Sequence, residues 1–209
     1  MLSEGKFLDV ADACARDLGE NNYRSFIEQN FDRDFAPEKV PDAYATLLDL
    51  RPQTILTTNY DRIPEVGGRG GHWIFTNTNI AEADSAIQNR RLTVIKLHGN
   101  VTQQSSIVFT RAEYQNIYQN QSFKDFLVAI FRLKTVIFLG FGLTDAYFNF
   151  VLENIFAANQ RILQGKYALL EGLSPIEIQT KERGYGLNII PYPVCNLKFL
   201  NCRVATKRF

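Results

Sequence analysis

Short apolar runs separated by amphipathic stretches define the organisation of the chain. β-Branched and other apolar residues cluster in several short segments, and each cluster predicts a β-strand because such side chains fit a pleated, buried sheet. The predicted strands lie within residues 54–57, 72–76, 93–100, 106–110, 135–145, 167–172 and 186–192.

In the intervening stretches, apolar residues recur at steps of three and four, which predicts helices with one buried face. The predicted helices span residues 6–18, 22–31, 41–50, 111–117 and 122–133, and two more begin after Thr144 and at Pro175. Gly19 predicts the end of the first helix. Ser174, with Glu177 three residues later, predicts a capping box at the start of the last one.

The alternation of apolar strands with helices indicates an α/β fold. Strands that are apolar throughout are typical of a parallel sheet with helices on both faces. At 209 residues the chain is long enough for one such domain, and we assign residues 1–209 to it.

Polar side chains follow three of the predicted strands, in TTNYD at residues 57–61, KLHGN at 96–100 and FLGFGLTD at 138–145. In parallel α/β sheets, ligands bind beyond the carboxyl ends of the strands. We therefore expect these three segments to share one edge of the sheet and to form the functional site.

Three side chains of these segments can carry chemistry. Asn59 offers a donor and an acceptor, Asp61 an ionised acceptor, and His98 a group that exchanges protons near neutral pH. Asn59 and Asp61 can equally form side-chain turns, and His98, before Gly99, can be a turn residue.

The two glycines of the third segment can likewise be interpreted as ligand-binding residues or as turn residues. Gly140 and Gly142 carry no Cβ, so the backbone there can approach a ribose or a phosphate closely. A simple strand-to-helix turn explains a Gly-x-Gly pattern as well. The glycine-rich stretch at residues 67–71 predicts a mobile turn, because no helix signal follows it.

Composition and charge exclude several classes of partner and location. The net charge is +1, so a broad basic face for direct nucleic-acid contact is not expected. The apolar region at residues 126–143 is interrupted by Arg132 and Lys134, and no membrane span is expected. No secretory signal follows Met1, which favours a cytoplasmic location. The three cysteines lack a Cys-x-x-Cys pair, so no metal site is expected.

Taken together and in order, TTNYD, KLHGN and FLGFGLTDAYF resemble the motifs of the bacterial sirtuin-like NAD-consuming domains of antiphage defence proteins. The resemblance extends over residues 5–192. It implies a Rossmann-like sheet, NAD as the substrate, and cleavage of the bond between nicotinamide and ribose.

The resemblance also implies roles for individual residues. Asn59 would orient water or a ribose hydroxyl, and His98 would act as the general base. Thr58, Asp61, Gly140 and Gly142 would bind NAD, with Asp61 lining the nicotinamide pocket and the two glycines lying against the ribose.

The chain departs from the sirtuin pattern in two places. Deacylating sirtuins follow the histidine segment with a zinc module of paired cysteines, and residues 101–115 contain no cysteine. The family also begins with a strand and a Gly-Ala-Gly-type loop that holds the NAD phosphates, and neither precedes the first predicted helix. We therefore expect the domain to be incomplete at its N-terminus.

The sequence predicts an NAD glycohydrolase that releases nicotinamide and ADP-ribose as the effector domain of a defence protein. We expect a homo-oligomer or a sensor or effector partner to control it. A non-catalytic sensing or assembly module that recognises NAD or a related nucleotide is the alternative from another class. An NAD-dependent protein deacylase is disfavoured by the absent cysteine pairs.

Overall fold

The structure is a computed structural model that describes residues 4–32, 40–68, 71–88, 92–143, 145–158 and 164–193. The chain divides into two compact units, Met1–Phe123 and Lys124–Phe209. Each unit is described by itself below.

The helices and strands follow the alternation that the hydrophobic pattern predicts. In chain order they are α1 (Glu4–Leu18), α2 (Glu20–Phe31), α3 (Asp42–Asp49), β1 (Thr54–Thr57), α4 (Ile63–Gly67), β2 (Trp73–Thr76), α5 (Ile80–Gln88), β3 (Thr93–Lys96), α6 (Arg111–Gln119), α7 (Gln121–Leu133), β4 (Val136–Phe138), α8 (Ala146–Ala158), β5 (Lys166–Glu171), α9 (Pro175–Tyr185) and β6 (Asn188–Tyr192). Short 3-10 helices occupy Asn77–Asn79 and Gln104–Ser106.

The first unit is built on a parallel sheet in which β3 lies between β1 and β2. Thr54 pairs with Thr93 and Thr57 with Lys96, so β1 and β3 end level with each other. All four residues of β3 are buried, as expected for a central strand.

Helix α6 of the first unit is fixed against α1 and α2 by polar contacts. The backbone N–H of Arg111 donates to Asp12 at 2.9 Å. Glu113 accepts hydrogen bonds from the Tyr23 hydroxyl at 2.9 Å and from Arg24 at 3.0 Å. Thr110 also caps α6 in a capping box with Glu113. These contacts matter for the site because α6 faces the turn that follows β3.

The second unit contains another parallel sheet, in the order β4, β5, β6. Its last helix begins as predicted, with Ser174 accepting from the backbone N–H of Glu177 and Glu177 reaching back to the N-cap. That helix ends at Gly186, which adopts the left-handed conformation with φ 65°. Helix-flanked parallel sheets confirm the predicted Rossmann-like α/β class.

Some local predictions were wrong or incomplete. Residues 106–110 form no strand, because the N–H of Val108 donates to the carbonyl of His98 and its carbonyl accepts from the Tyr60 hydroxyl. Pro41 is the N-cap of α3 instead of its first residue. Helices α4 and α5 were not predicted.

Two further sequence predictions fall on residues outside the described ranges. Thr144 is one of them, and within the described residues it is Asp145 that accepts from the N–H of Phe148 at the start of α8. The 67–71 stretch is described only in part. Among the residues that the structure describes, no helix has the length and apolar character needed to cross a membrane.

Candidate functional site

Two of the predicted site segments lie side by side at the carboxyl edge of the first sheet. The N–H of Leu97 donates to the carbonyl of Thr57 at 2.8 Å, and the N–H of Val101 donates to the carbonyl of Tyr60 at 3.2 Å. These bonds continue the β1–β3 pairing beyond the strands. The 57–61 turn and the 96–100 turn therefore form one joined surface, as the sequence predicted for these two segments.

Asn59 occupies the exposed part of the 57–61 turn. Its backbone N–H donates to the Thr57 hydroxyl at 3.1 Å, which closes the turn directly after β1. Thr58 beside it is half-buried. The amide of Asn59 is thus presented to solvent by a turn whose backbone is locally satisfied.

Asp61 and Tyr60 hold this turn to the rest of the unit. Asp61 accepts from the N–H of Ile63 at 3.0 Å, so its carboxylate supports the start of α4. The Tyr60 hydroxyl donates to the carbonyl of Val108 at 2.6 Å. The side-chain turn that the sequence allowed for Asp61 is therefore present in the structure.

The turn that carries His98 is tightly constrained. Gly99 has φ 95°, and a Cβ there would lie 2.2 Å from the carbonyl oxygen of Ser106. The Asn77 amide donates to the carbonyls of Leu97 at 3.1 Å and Ser106 at 2.8 Å. Only glycine fits at position 99, and Asn77 closes the turn from β2's side.

The imidazole of His98 is buried, with 3% of the residue exposed, and lies against two tyrosines of α6. Its Nε2 is hydrogen-bonded to the Tyr118 hydroxyl at 2.9 Å, and its Nδ1 lies 3.4 Å from the Tyr114 hydroxyl. The Tyr114 ring meets the imidazole edge to face at a centroid distance of 4.9 Å. Burial lowers the pKa of His98 to about 3, so the ring is neutral at neutral pH.

A buried ammonium lies beneath both turns. Lys96, the last residue of β3, is fully buried, and its Nζ donates to the carbonyl of Asp61 at 2.5 Å. It also donates to Glu65 of α4 at 2.7 Å and to Asn100 at 3.1 Å. Burial lowers the pKa of Lys96, while the hydrogen bond and charge of Glu65 oppose that shift.

Gly140 and Gly142 follow β4 and belong to the second unit. Gly140 has φ 63°, and a Cβ added there would meet no heavy atom within 4 Å. Both glycines are exposed. The third predicted segment thus ends a strand of the second sheet, whereas the other two end strands of the first.

Several residues that shape the site were not found from the sequence. Tyr114 and Tyr118 are spaced four apart on α6, which places them on one helix face, but nothing in the sequence pairs that face with His98. Asn77 comes directly after β2, and Asn59 is the second residue after β1. Lys96 could have been found from the sequence, because it follows the apolar residues 93–95 and a charge in a buried strand requires a partner.

The joined turns combine an exposed amide, a neutral imidazole and a carboxylate. A neutral imidazole accepts a hydrogen bond or a proton, and an amide can orient a hydroxyl or a water molecule. Such a set is suited to positioning a small oxygen nucleophile. It contains no nucleophilic serine or cysteine, so covalent catalysis through those groups has no support among these residues.

Comparison with known proteins gives a consistent result. The model of the SIR2-like domain family matches residues 53–190. An NAD(+) hydrolase ThsA of Enterococcus faecium is 30% identical over 137 residues, which are 63% of this chain and 28% of that protein. Another NAD(+) hydrolase ThsA, from Cytobacillus dafuensis, is 26% identical over 155 residues, 71% of this chain and 29% of its own length.

The defense-associated sirtuin 2 of Bacillus subtilis is 23% identical over 184 residues, 85% of this chain and 18% of that protein. The chain thus spans less than a third of the length of each of these relatives.

Proposed function

We propose that this chain, which belongs to the SIR2-like domain family, supplies the NAD-cleaving site of a defence protein. Two of its relatives are named NAD(+) hydrolases and a third is named a defence-associated sirtuin. The reaction is NAD plus water to nicotinamide, ADP-ribose and a proton. The observation that carries the proposal is the backbone bonding of the 57–61 turn to the 96–100 turn, because it joins the two segments that carry Asn59 and His98.

The proposed reaction breaks the bond between the anomeric carbon of the ribose and the nicotinamide nitrogen. The electron pair leaves with nicotinamide, and positive charge develops on the sugar as in glycoside hydrolysis. Water then forms the new bond to the anomeric carbon and loses a proton. Because the sugar is already strongly electrophilic, positioning the water contributes more than a strong base does.

In this scheme Asn59 orients the water or a ribose hydroxyl through its exposed amide. His98, neutral because of its burial, accepts a hydrogen bond or the proton of the attacking water. Thr58 and Asp61 bind NAD, and Asp61 lines the nicotinamide pocket while its carboxylate also supports α4. Gly140 and Gly142 allow close approach of the ribose.

One observation favours a second candidate, a module that binds NAD or a related nucleotide without cleaving it. His98 is buried between Tyr114 and Tyr118 and is thus covered in this structure. A binding module needs the surface of the turns but no access to the imidazole. Binding of NAD without release of nicotinamide would support this candidate.

The test is to incubate the chain with NAD and to quantify nicotinamide and ADP-ribose by chromatography. Any longer protein that contains this chain is tested in the same way. Asn59→Ala is expected to reduce nicotinamide release by at least about 100-fold, since a positioned catalytic group contributes roughly 10²- to 10⁴-fold. Because Asn59 is exposed, the urea midpoint of unfolding should not change. The matched control is Asn30→Ala, on the exposed face of α2.

Nicotinamide release by Asn59→Ala at the wild-type rate would overturn the assignment of Asn59. If neither the chain nor a longer protein that contains it releases nicotinamide, although NAD is bound, the binding module would take the place of the hydrolase as the proposed function. A cytoplasmic location, a homo-oligomer and a sensor or effector partner remain predictions from the sequence.

A further inference from the structure

The contacts of Lys96 link three segments that meet at the candidate site. Its ammonium donates to the main chain of the 57–61 turn at Asp61, to Glu65 of α4, and to the Asn100 side chain in the 96–100 turn. An ammonium group has three N–H donors, and three acceptors surround it here. The geometry therefore uses the full donor capacity of the lysine.

Glu65 and Asn100 are also bonded to each other. The Asn100 amide donates to the same Glu65 oxygen at 2.9 Å, and Asn100 Oδ1 accepts from the N–H of Thr102 at 3.3 Å. The second Glu65 oxygen is buried and has no hydrogen-bond partner among the described residues. The carboxylate thus depends on the Lys96 charge for its compensation.

A buried charge at this position is costly, and stability alone does not explain it. Burying an ammonium and a carboxylate carries a desolvation penalty that their attraction offsets only with good geometry, and apolar replacements of similar size are often as stable. What an apolar residue cannot do is donate to Asp61, Glu65 and Asn100 at once. The arrangement is suited to fixing the relative position of the two turns.

We propose that Lys96 is a positioning residue of the NAD-cleaving site, whose buried ammonium holds the 57–61 turn and the 96–100 turn in one fixed arrangement. The inference rests on the proposed function for its catalytic consequence. Its structural part, the coupling of the turns, stands on the contacts alone. Lys96 does not touch the substrate in this scheme and acts through the segments that carry Asn59 and His98.

The first variant is Lys96→Met, which keeps an unbranched side chain of nearly the same length and removes the three donors. Amide hydrogen exchange of residues 57–65 and 97–103 is expected to become about tenfold faster, because the bonds between the turns open more often. For NAD cleavage kcat should fall about 10- to 100-fold while KM changes by less than about threefold, since small displacements of catalytic groups affect the chemical step most.

Lys166→Met is the matched control. Lys166 is also buried, and its Nζ donates to the carbonyls of Lys134 at 2.7 Å and Gln164 at 2.6 Å. It lies at the start of β5 in the second unit, at the amino end of that sheet. Its loss should lower the urea midpoint of unfolding without changing exchange in residues 57–65 or 97–103, or kcat.

The double variant Lys96→Met with Glu65→Gln separates positioning from stability. Removing the stranded carboxylate charge is expected to restore most of the urea midpoint lost in Lys96→Met. The Asp61 carbonyl still lacks its donor, so the fast exchange and the low kcat should remain. Recovery of kcat together with the midpoint would show that Lys96 acts only through stability and would overturn the inference.

The exchange measurement also distinguishes failure of this inference from failure of the proposed function. If the wild-type protein releases no nicotinamide, NAD cleavage is wrong, and exchange still decides whether Lys96 couples the turns. Exchange in residues 57–65 and 97–103 that is equal in Lys96→Met and Lys166→Met would overturn the inference, whatever the activity.

Discussion

The Nε2 atom of His98 lies 2.9 Å from the hydroxyl oxygen of Tyr118. This bond joins the turn after β3 to helix α6, and α6 is itself held by α1 and α2 through Arg111 and Glu113. The orientation of the imidazole is therefore set by the hydroxyl of a buried side chain on a helix that is itself attached to the rest of the unit. The Nδ1 atom lies 3.4 Å from the Tyr114 hydroxyl, and the Tyr114 ring meets the imidazole edge to face.

Removal of the Tyr118 hydroxyl should loosen the imidazole without changing the packing of the ring. For Tyr118→Phe we expect the free energy of unfolding to fall by about 1 kcal/mol, the usual net value of one hydrogen bond, and NAD cleavage to slow by about 3- to 10-fold. Nicotinamide release measured in a single turnover, beside urea unfolding, checks both. Tyr192→Phe, which alters an exposed residue of β6, is the control. Wild-type turnover in Tyr118→Phe would mean that this bond does not orient His98.

The burial of His98 should make stability depend on pH in a defined direction. The pKa is lowered to about 3 in the folded protein from an ordinary value of 6.5, so between those values the unfolded chain binds a proton that the folded chain does not. The free energy of unfolding should therefore be fully retained above pH 6.5 and decrease as the pH falls toward 3, by on the order of 1 kcal/mol per pH unit. The groups that contact the imidazole in the structure include the hydroxyls of Tyr114 and Tyr118.

His98→Gln cannot titrate, so its free energy of unfolding should vary less with pH between 6.5 and 4 than that of the wild type. Urea unfolding at half-unit pH steps measures the two slopes. His72→Gln controls for the loss of a histidine as such. Equal slopes for His98→Gln and the wild type would contradict the burial of a neutral imidazole.

Local patterns were enough to predict much of the fold. The strand predicted at residues 54–57 is observed at Thr54–Thr57, and the Ser174 capping box forms as its residues indicate. Helix α5 was missed because two of its four buried residues, Ala83 and Ala86, are alanines, which weaken the hydrophobic period. The strand expected at 106–110 failed because local propensity does not say which backbone will supply the pairing partner, and His98 and Tyr60 supply it there.

The candidate site was predictable only in part, for the same reason. Polar residues at strand ends pointed to Asn59 and His98. The strands that precede these residues, β1 and β3, are neighbours in the sheet, although β2 lies between them in chain order. The partners of His98 and Lys96 come from α6 and α4, and such tertiary contacts leave no fixed spacing in a sequence. Burial of the imidazole follows from those contacts, so its pKa could not be anticipated either.

Gly140 offers a direct test of ligand approach, and Gly19, another glycine with positive φ and open space around it, is the control. Gly140 has φ 63° and Gly19 has φ 73°, and an added Cβ meets no heavy atom within 4 Å at either position. Alanine is strained at both positions because φ is positive, and its cost in stability should be larger at Gly19, whose ψ of 155° falls where essentially only glycine is found. If the ribose of NAD packs against the backbone at Gly140, only Gly140→Ala places a methyl group in its way.

We expect Gly140→Ala to weaken NAD binding by at least about tenfold, equivalent to about 1.4 kcal/mol, and Gly19→Ala to leave it unchanged. Titration calorimetry with NAD, beside urea unfolding of both variants, makes the comparison. Equal NAD affinity in the two variants would reduce Gly140 to a turn residue and remove it from the proposed site.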